Sequence, residues 1–184
     1  MFLDSSLWFS SYTTPVAITT TADSSLIDVT GAGSGNAPAM ISGKNIATGA
    51  AYPLGIDLGA GDGFAVPSVN ITVGTTFTAG GAATLTVTLL AAPDSGSNTP
   101  GTYTTLLSTA AIPVASLVAG YVLNLPIPQI QMGVGSTVEA LPRFYKLTYT
   151  VATGPMTAGK LSAGIVINQP NIAEGSQFPG NFVV

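Results

Sequence analysis

Thr84-Leu85-Thr86-Val87-Thr88-Leu89 places a hydroxyl at every even position and an aliphatic side chain at every odd one. Successive side chains of a β-strand point to opposite faces, so a strict period of two describes a strand with one apolar and one polar face. The same alternation recurs on both sides of this stretch. Val69, Ile71 and Val73 alternate with Ser68, Asn70 and Thr72, and Leu54, Ile56 and Leu58 stand around Gly55 and Asp57. Tyr145, Leu147, Tyr149 and Val151 alternate with Lys146, Thr148 and Thr150, and Leu161, Ala163, Ile165 and Ile167 give a further face. Weaker strand patterns cover 16–21, 26–30, 103–107 and 121–125.

Glycine, proline and small polar residues punctuate these runs at Gly31–Gly35, Gly59–Gly63, Ala79–Gly81, Pro93–Gly96 and Thr153–Pro155. Such clusters supply the backbone angles that turns require. Helical periodicity is confined to a short turn near Val114–Val118. Many short strands with turns between them predict an all-β fold, an antiparallel β-sandwich of the jelly-roll type with about eight strands and extended N- and C-terminal segments. The 184 residues read as a single domain: an N-terminal arm over 1–14, a jelly-roll body over 15–168 and a C-terminal tail over 169–184.

Charge is the compositional anomaly. Only 7% of residues are charged and 46% are hydrophobic, against roughly one-quarter charged in an ordinary soluble domain. Between Asp94 and Glu139 no charged side chain occurs at all. Charges keep a free protein apart from its neighbours, so a chain this neutral is expected to cover much of its exterior with other protein. The four cations Lys44, Arg143, Lys146 and Lys160 are scattered in a chain of net charge −4. Phosphate binding needs clustered Lys and Arg, so no nucleic-acid partner is expected.

The residue types that carry most catalysis are missing. With no histidine and no cysteine, histidine-activated nucleophiles, thiolate metal sites and disulfides are closed. The lack of cysteine fits synthesis in a reducing cytoplasm. Met1-Phe2-Leu3-Asp4 lacks the basic region and apolar run of a secretory signal. No window offers the roughly 20 apolar residues of a spanning helix, so no membrane partner is expected. Asp57 and Asp62 flank a glycine-rich turn; a pair of acids can serve a glycosidase or hold calcium, but their spacing does not match an EF-hand, and Asp at a strand end beside Gly is usually turn chemistry. Gly59, Gly61 and Gly63 are not followed by the Lys-Ser/Thr of a phosphate loop, and Asn70-Ile71-Thr72 is a glycosylation sequon inside a strand. Arg143 with Phe144, Tyr145 and Tyr149 is the one cation–aromatic cluster. It can stack a sugar or a base, although a strand with inward tyrosines and an Arg paired to a rim carboxylate is the commoner arrangement. The chain is expected to be no enzyme, with no catalytic residue, cofactor or metal.

The two ends differ from the body. Leu3, Leu7, Trp8, Phe9 and Tyr12 follow no steady period, and Phe178 and Phe182 sit in an irregular tail. Free aromatics of this density would be sticky, so both ends must dock, either on their own domain or on a neighbour. These seven residues are the candidate partner contacts.

Two segments resemble a known family. They are Thr78-Ala-Gly-Gly-Ala-Ala-Thr-Leu-Thr-Val87 and Leu147-Thr-Tyr-Thr-Val-Ala-Thr-Gly-Pro-Met-Thr-Ala-Gly-Lys160, continuing into Leu161-Ser-Ala163. Between them Ala111-Ile-Pro-Val-Ala115, Leu117, Ala119, Gly120 and Leu125-Pro-Ile-Pro128 follow in the same order, and Asp4, Leu7, Phe9 and Ser10 fit the opening. Together they resemble the capsid cement (decoration) proteins of short-tailed bacteriophages. Residues 31–53, Asp94–Thr102 and the tail after Gln169 depart from that pattern. The resemblance implies a structural virion protein, made in the host cytoplasm, that forms a homotrimer on the outer surface of the capsid. There it would bind the major capsid protein where capsomers meet. The rival expectations are a glycan-binding adhesion module using Trp8, Tyr52 or Tyr121, and a hydrolase dependent on Asp57 or Asp62.

Overall fold

A computed structural model describes residues 8–28, 41–44, 51–54, 66–95, 99–127 and 143–168, with backbone alone at 28, 41–44, 51–54, 66 and 167–168. The alternation at Thr84–Leu89 becomes a strand in which Leu85, Val87 and Leu89 are buried and the intervening threonines are half-buried. Strands are numbered in chain order. One sheet orders β1 (Trp8–Ser10), β13 (Met156–Asn168), β7 (Val66–Ala79) and β11 (Val122–Pro126), with β2 (Val16–Ala17) also on β13. The other orders β10 (Ile112–Pro113), β8 (Thr84–Ala92), β12 (Phe144–Ala152) and β3 (Ala22–Asp23), with β9 (Thr104–Ser108) on β8 and β4 (Ile27–Asp28) on β12. A hairpin pairs β5 (Ile41–Lys44) with β6 (Ala51–Leu54).

All pairings are antiparallel. The chain is therefore all-β, a sandwich of two antiparallel sheets. Its frame is one long ribbon bent across both layers. β7 pairs with β13 up to Ala79 opposite Met156, and β8 pairs with β12 from Thr84 opposite Ala152. Between these registers the ribbon turns a corner through residues 80–83 on one strand and 153–155 on the other. A folded-over antiparallel ribbon is the wrapping of a jelly roll. It places Leu89 opposite Leu147 and Val87 opposite Tyr149 on the inner face, where all four are buried.

The corner and the bulge beside it show what the backbone demands. Thr153 and Gly154 both take positive φ, 64° and 112°, where the chain crosses sharply from one sheet to the other. Along β13 the register slips between Ala158 and Lys160, and Gly159 sits in this bulge at φ +136° with the Phe77 ring against it. A Cβ there would lie 2.2 Å from that ring.

Several elements differ from the sequence pattern for local reasons. The stretch 16–21 keeps strand pairing over Val16–Ala17 alone. Beyond it Ile18 turns into the core and the Thr19 carbonyl takes the Met156 N–H. β7 extends to Ala79, well past the alternating run, because Phe77 by itself carries the inward face of its second half. The helical turn near Val114 is a single 3-10 turn over Val114–Ser116, closed by the Leu117 N–H on the Val114 carbonyl. Trp8–Ser10, too short to show a period, pairs with β13 as the sheet's edge. Within the pattern Leu54–Leu58, only Leu54 is described, at the end of β6.

Candidate functional site

Among the described residues the features with defined geometry are surfaces. On the outer face of the β8–β12 sheet, a row runs Ser108, Thr88, Thr148, Asp23 across β9, β8, β12 and β3. Thr88 and Ser108 share a hydrogen bond of 3.0 Å. The Thr148 hydroxyl donates to Asp23 Oδ1 and the Lys146 ammonium to Asp23 Oδ2, each at 2.6 Å. Lys146 also lies over the Tyr103 ring, 4.5 Å from its centroid. The Lys146 hydrogen bond, and after it the Thr148 hydroxyl, hold the Asp23 carboxyl below its ordinary range against a smaller opposing effect of burial. This part of the face therefore carries one anion and one cation that offset each other, beside hydroxyls.

The other sheet pairs its amides in a similar way, with Lys160 as the exposed charge of β13 and the buried Ser68 hydroxyl left without a partner among the described residues. Asn124, Asn70, Gly164 and Trp8 stand in register across β11, β7, β13 and β1. Asn70 Nδ2 donates to Asn124 Oδ1 at 2.7 Å, and the Thr72 hydroxyl donates to Asn70 Oδ1 at 3.1 Å. Flanking registers hold Val122, Thr72 and Ser162 on one side and Pro126, Ser68 and Val166 on the other. At the ribbon corner Thr78 and Thr157 share a bond of 2.8 Å.

The cation–aromatic cluster takes the structural form. Tyr145 and Tyr149 are buried, Arg143 pairs with Asp94, and the Arg143 guanidinium lies 4.8 Å from the Phe144 centroid. Burial pushes the phenols of both tyrosines upward, Tyr149 most, so each stays neutral. Among the described residues the Tyr149 hydroxyl has no hydrogen-bond partner. Among the described residues no group of three or more acids gathers to hold a metal, and no helix is long and apolar enough to cross a membrane.

The candidate contacts of the N-terminal arm separate. Phe9 is 1% exposed and fills its own core, Trp8 is half-buried at the sheet edge, and Tyr12 projects at 68% exposure. Leu3, Leu7, Phe178 and Phe182 lie outside the described residues, as do Asp57 and Asp62. Tyr121 packs against the core, and Tyr52 lies in β6. Two exposed apolar residues escaped the sequence reading: Val118 and Val122, at 49% and 50% exposure. They flank Gly120 where the chain enters the edge strand β11, within the charge-free run. Asp23 and Lys146 escaped it as well. They are 123 residues apart, and no local spacing announces such a pair.

Against known proteins, residues 17–165 match the model of one family, described as Bbp16. That match spans the paired strands of both sheets from β2 to β13. No curated protein matches the chain.

Proposed function

The chain belongs to the Bbp16 family, and from that premise we propose that it is a capsid cement subunit of a tailed-phage head. In this reading three copies form a trimer on the outside of the shell and clamp neighbouring copies of the major capsid protein. The supporting observation is the scarcity of charge: among the described side chains the outer faces carry Asp23 and Lys146, bonded to each other, on one sheet and Lys160, opposite Thr75, on the other. Polar side chains that already bond to each other, as Asn70 does with Asn124 and Thr88 with Ser108, lose little solvation when another protein covers them. The collinear resemblance of Thr78–Val87 and Leu147–Lys160 to phage cement proteins gives the direction.

The mechanism is multivalent. A cyclic trimer needs a head-to-tail interface that closes after three copies. Three modest footprints on one rigid body raise the effective concentration, so avidity exceeds a single contact by about 10²–10⁴. Binding the assembled shell and not its parts stabilises that shell by mass action. No bond-making chemistry, cofactor, nucleic acid or membrane enters this role. Tyr12, Val118 and Val122 are the described apolar side chains exposed for such contacts.

The test is the thermal disruption of heads stripped of this protein. Adding the purified chain is expected to raise the disruption temperature in proportion to occupancy until the sites are full. Heads that break at the same temperature with and without it would overturn the proposal.

A further inference from the structure

Along one side of the sandwich the edges of the two sheets part. β1 and the turn after it belong to one sheet, and Asp23–Ser25 belongs to the other. The Ser25 N–H on the Phe9 carbonyl, at 3.1 Å, bridges them. A cleft of about 470 Å³ opens there, with Phe9 at its wall and Ser11, Thr14, Asp23, Ser24 and Ser25 around it. This volume falls within the roughly 300–1,000 Å³ of small-molecule sites.

The lining selects the ligand. Hydroxyls and a carboxylate dominate, which disfavours an apolar molecule. A carboxylate with no cation among the lining residues disfavours an anion. Asp23 already gives Oδ2 to Lys146 and Oδ1 to Thr148, so its charge is matched and a free cation gains little. Each carboxylate oxygen keeps a further lone pair for a hydroxyl donor. Part of the wall is locked: the Ser24 hydroxyl accepts the Leu147 N–H and donates to the Ser25 carbonyl, both at 2.8 Å. Ser11 is held by the Thr13 hydroxyl at 2.9 Å. The Thr14 and Ser25 hydroxyls, by contrast, bond no other described group of the chain.

We propose that this cleft binds a neutral saccharide, whose hydroxyls meet Asp23, Thr14 and Ser25. The site adds a second activity and does not depend on the cement reading, since no capsid contact enters the argument.

The full-length chain, isotopically labelled, is titrated with glucose, galactose, mannose and N-acetylglucosamine, and amide shifts are followed by NMR. At least one sugar is expected to give saturable shifts confined to residues 9–16 and 23–25. Thr14→Val and Ser25→Ala should each weaken that binding about fivefold, the loss of one hydrogen bond, with the melting temperature unchanged. No saturable shift at tens of millimolar of any of the four sugars would overturn the proposal, as would binding that ignores both variants. Saturation by butylammonium and by no sugar would overturn it too, and would assign the cleft to a basic side chain. None of these outcomes bears on head disruption, so the two proposals fail separately.

Discussion

A methyl group on Gly159 would lie 2.2 Å from the Phe77 ring, at a φ of +136° that L residues rarely adopt. Both penalties act together, so Gly159→Ala is expected to cost about 2–4 kcal/mol in urea unfolding. Gly80 is the control: a Cβ there meets nothing within 4 Å and its φ is ordinary. Gly80→Ala should be neutral or stabilise by up to about 1 kcal/mol, through the unfolded chain. Equal loss in the two variants would mean that the close approach of Gly159 to Phe77 is not what the fold requires. Tyr149 makes the opposite case. Its hydroxyl is buried without a partner, a desolvation worth about 1–3 kcal/mol. Tyr149→Phe is therefore expected to raise the unfolding midpoint, and a drop would reveal a hydrogen bond that the geometry does not show.

At the scale of elements, β8 and β12 were legible because each repeats its alternation over most of nine residues. Leu89 and Leu147 face each other across that pair and are fully buried. Truncating either to Ala should cost about 2–5 kcal/mol. The double variant should cost less than the sum of the two, because both side chains line one space. Strict additivity by denaturant titration would mean that the two do not share a cavity. The cross-strand tie at Asp23 has a pH signature. Its folded pKa is depressed, chiefly by the Lys146 hydrogen bond, so its stabilisation is present above the ordinary carboxylate value and lost as pH falls through the folded value. Asp23→Asn should flatten the acid side of the stability curve below about pH 4. The change should stay within about 1 kcal/mol, since the pair is solvent-screened. An unaltered acid limb would remove Asp23 from the account. Other elements were less readable in the chain. β1, β2, β3 and β4 are two or three residues long, too short for a period to show. They are strands because β12 and β13 offer them paired edges. The cleft between them was illegible for the same reason. Its lining comes from both sheets, and only the fold brings Ser11 near Ser25.

For the whole molecule, the near absence of charge is the property that needs a purpose. The sandwich itself does not call for it, since outer faces of antiparallel sheets tolerate Lys and Glu freely. Phe9 shows that part of the aromatic N-terminal arm is spent inside its own core, and on the outer face of the β7–β13 sheet Ser68, Ser162 and Val166 are buried as well, which leaves the outer face of the β8–β12 sheet and the Val118–Val122 edge as described surfaces for partners. Neutrality of this kind lowers the cost of dense contact with other protein, the condition of a shell subunit. The most direct test is co-sedimentation of the purified chain with mature heads stripped of it and with unassembled major capsid protein. The account predicts that the chain pellets with the heads to a saturating level that is a multiple of three per binding position, and ignores the unassembled protein. A chain that stays in the supernatant at every concentration, or pellets without saturation, would contradict it.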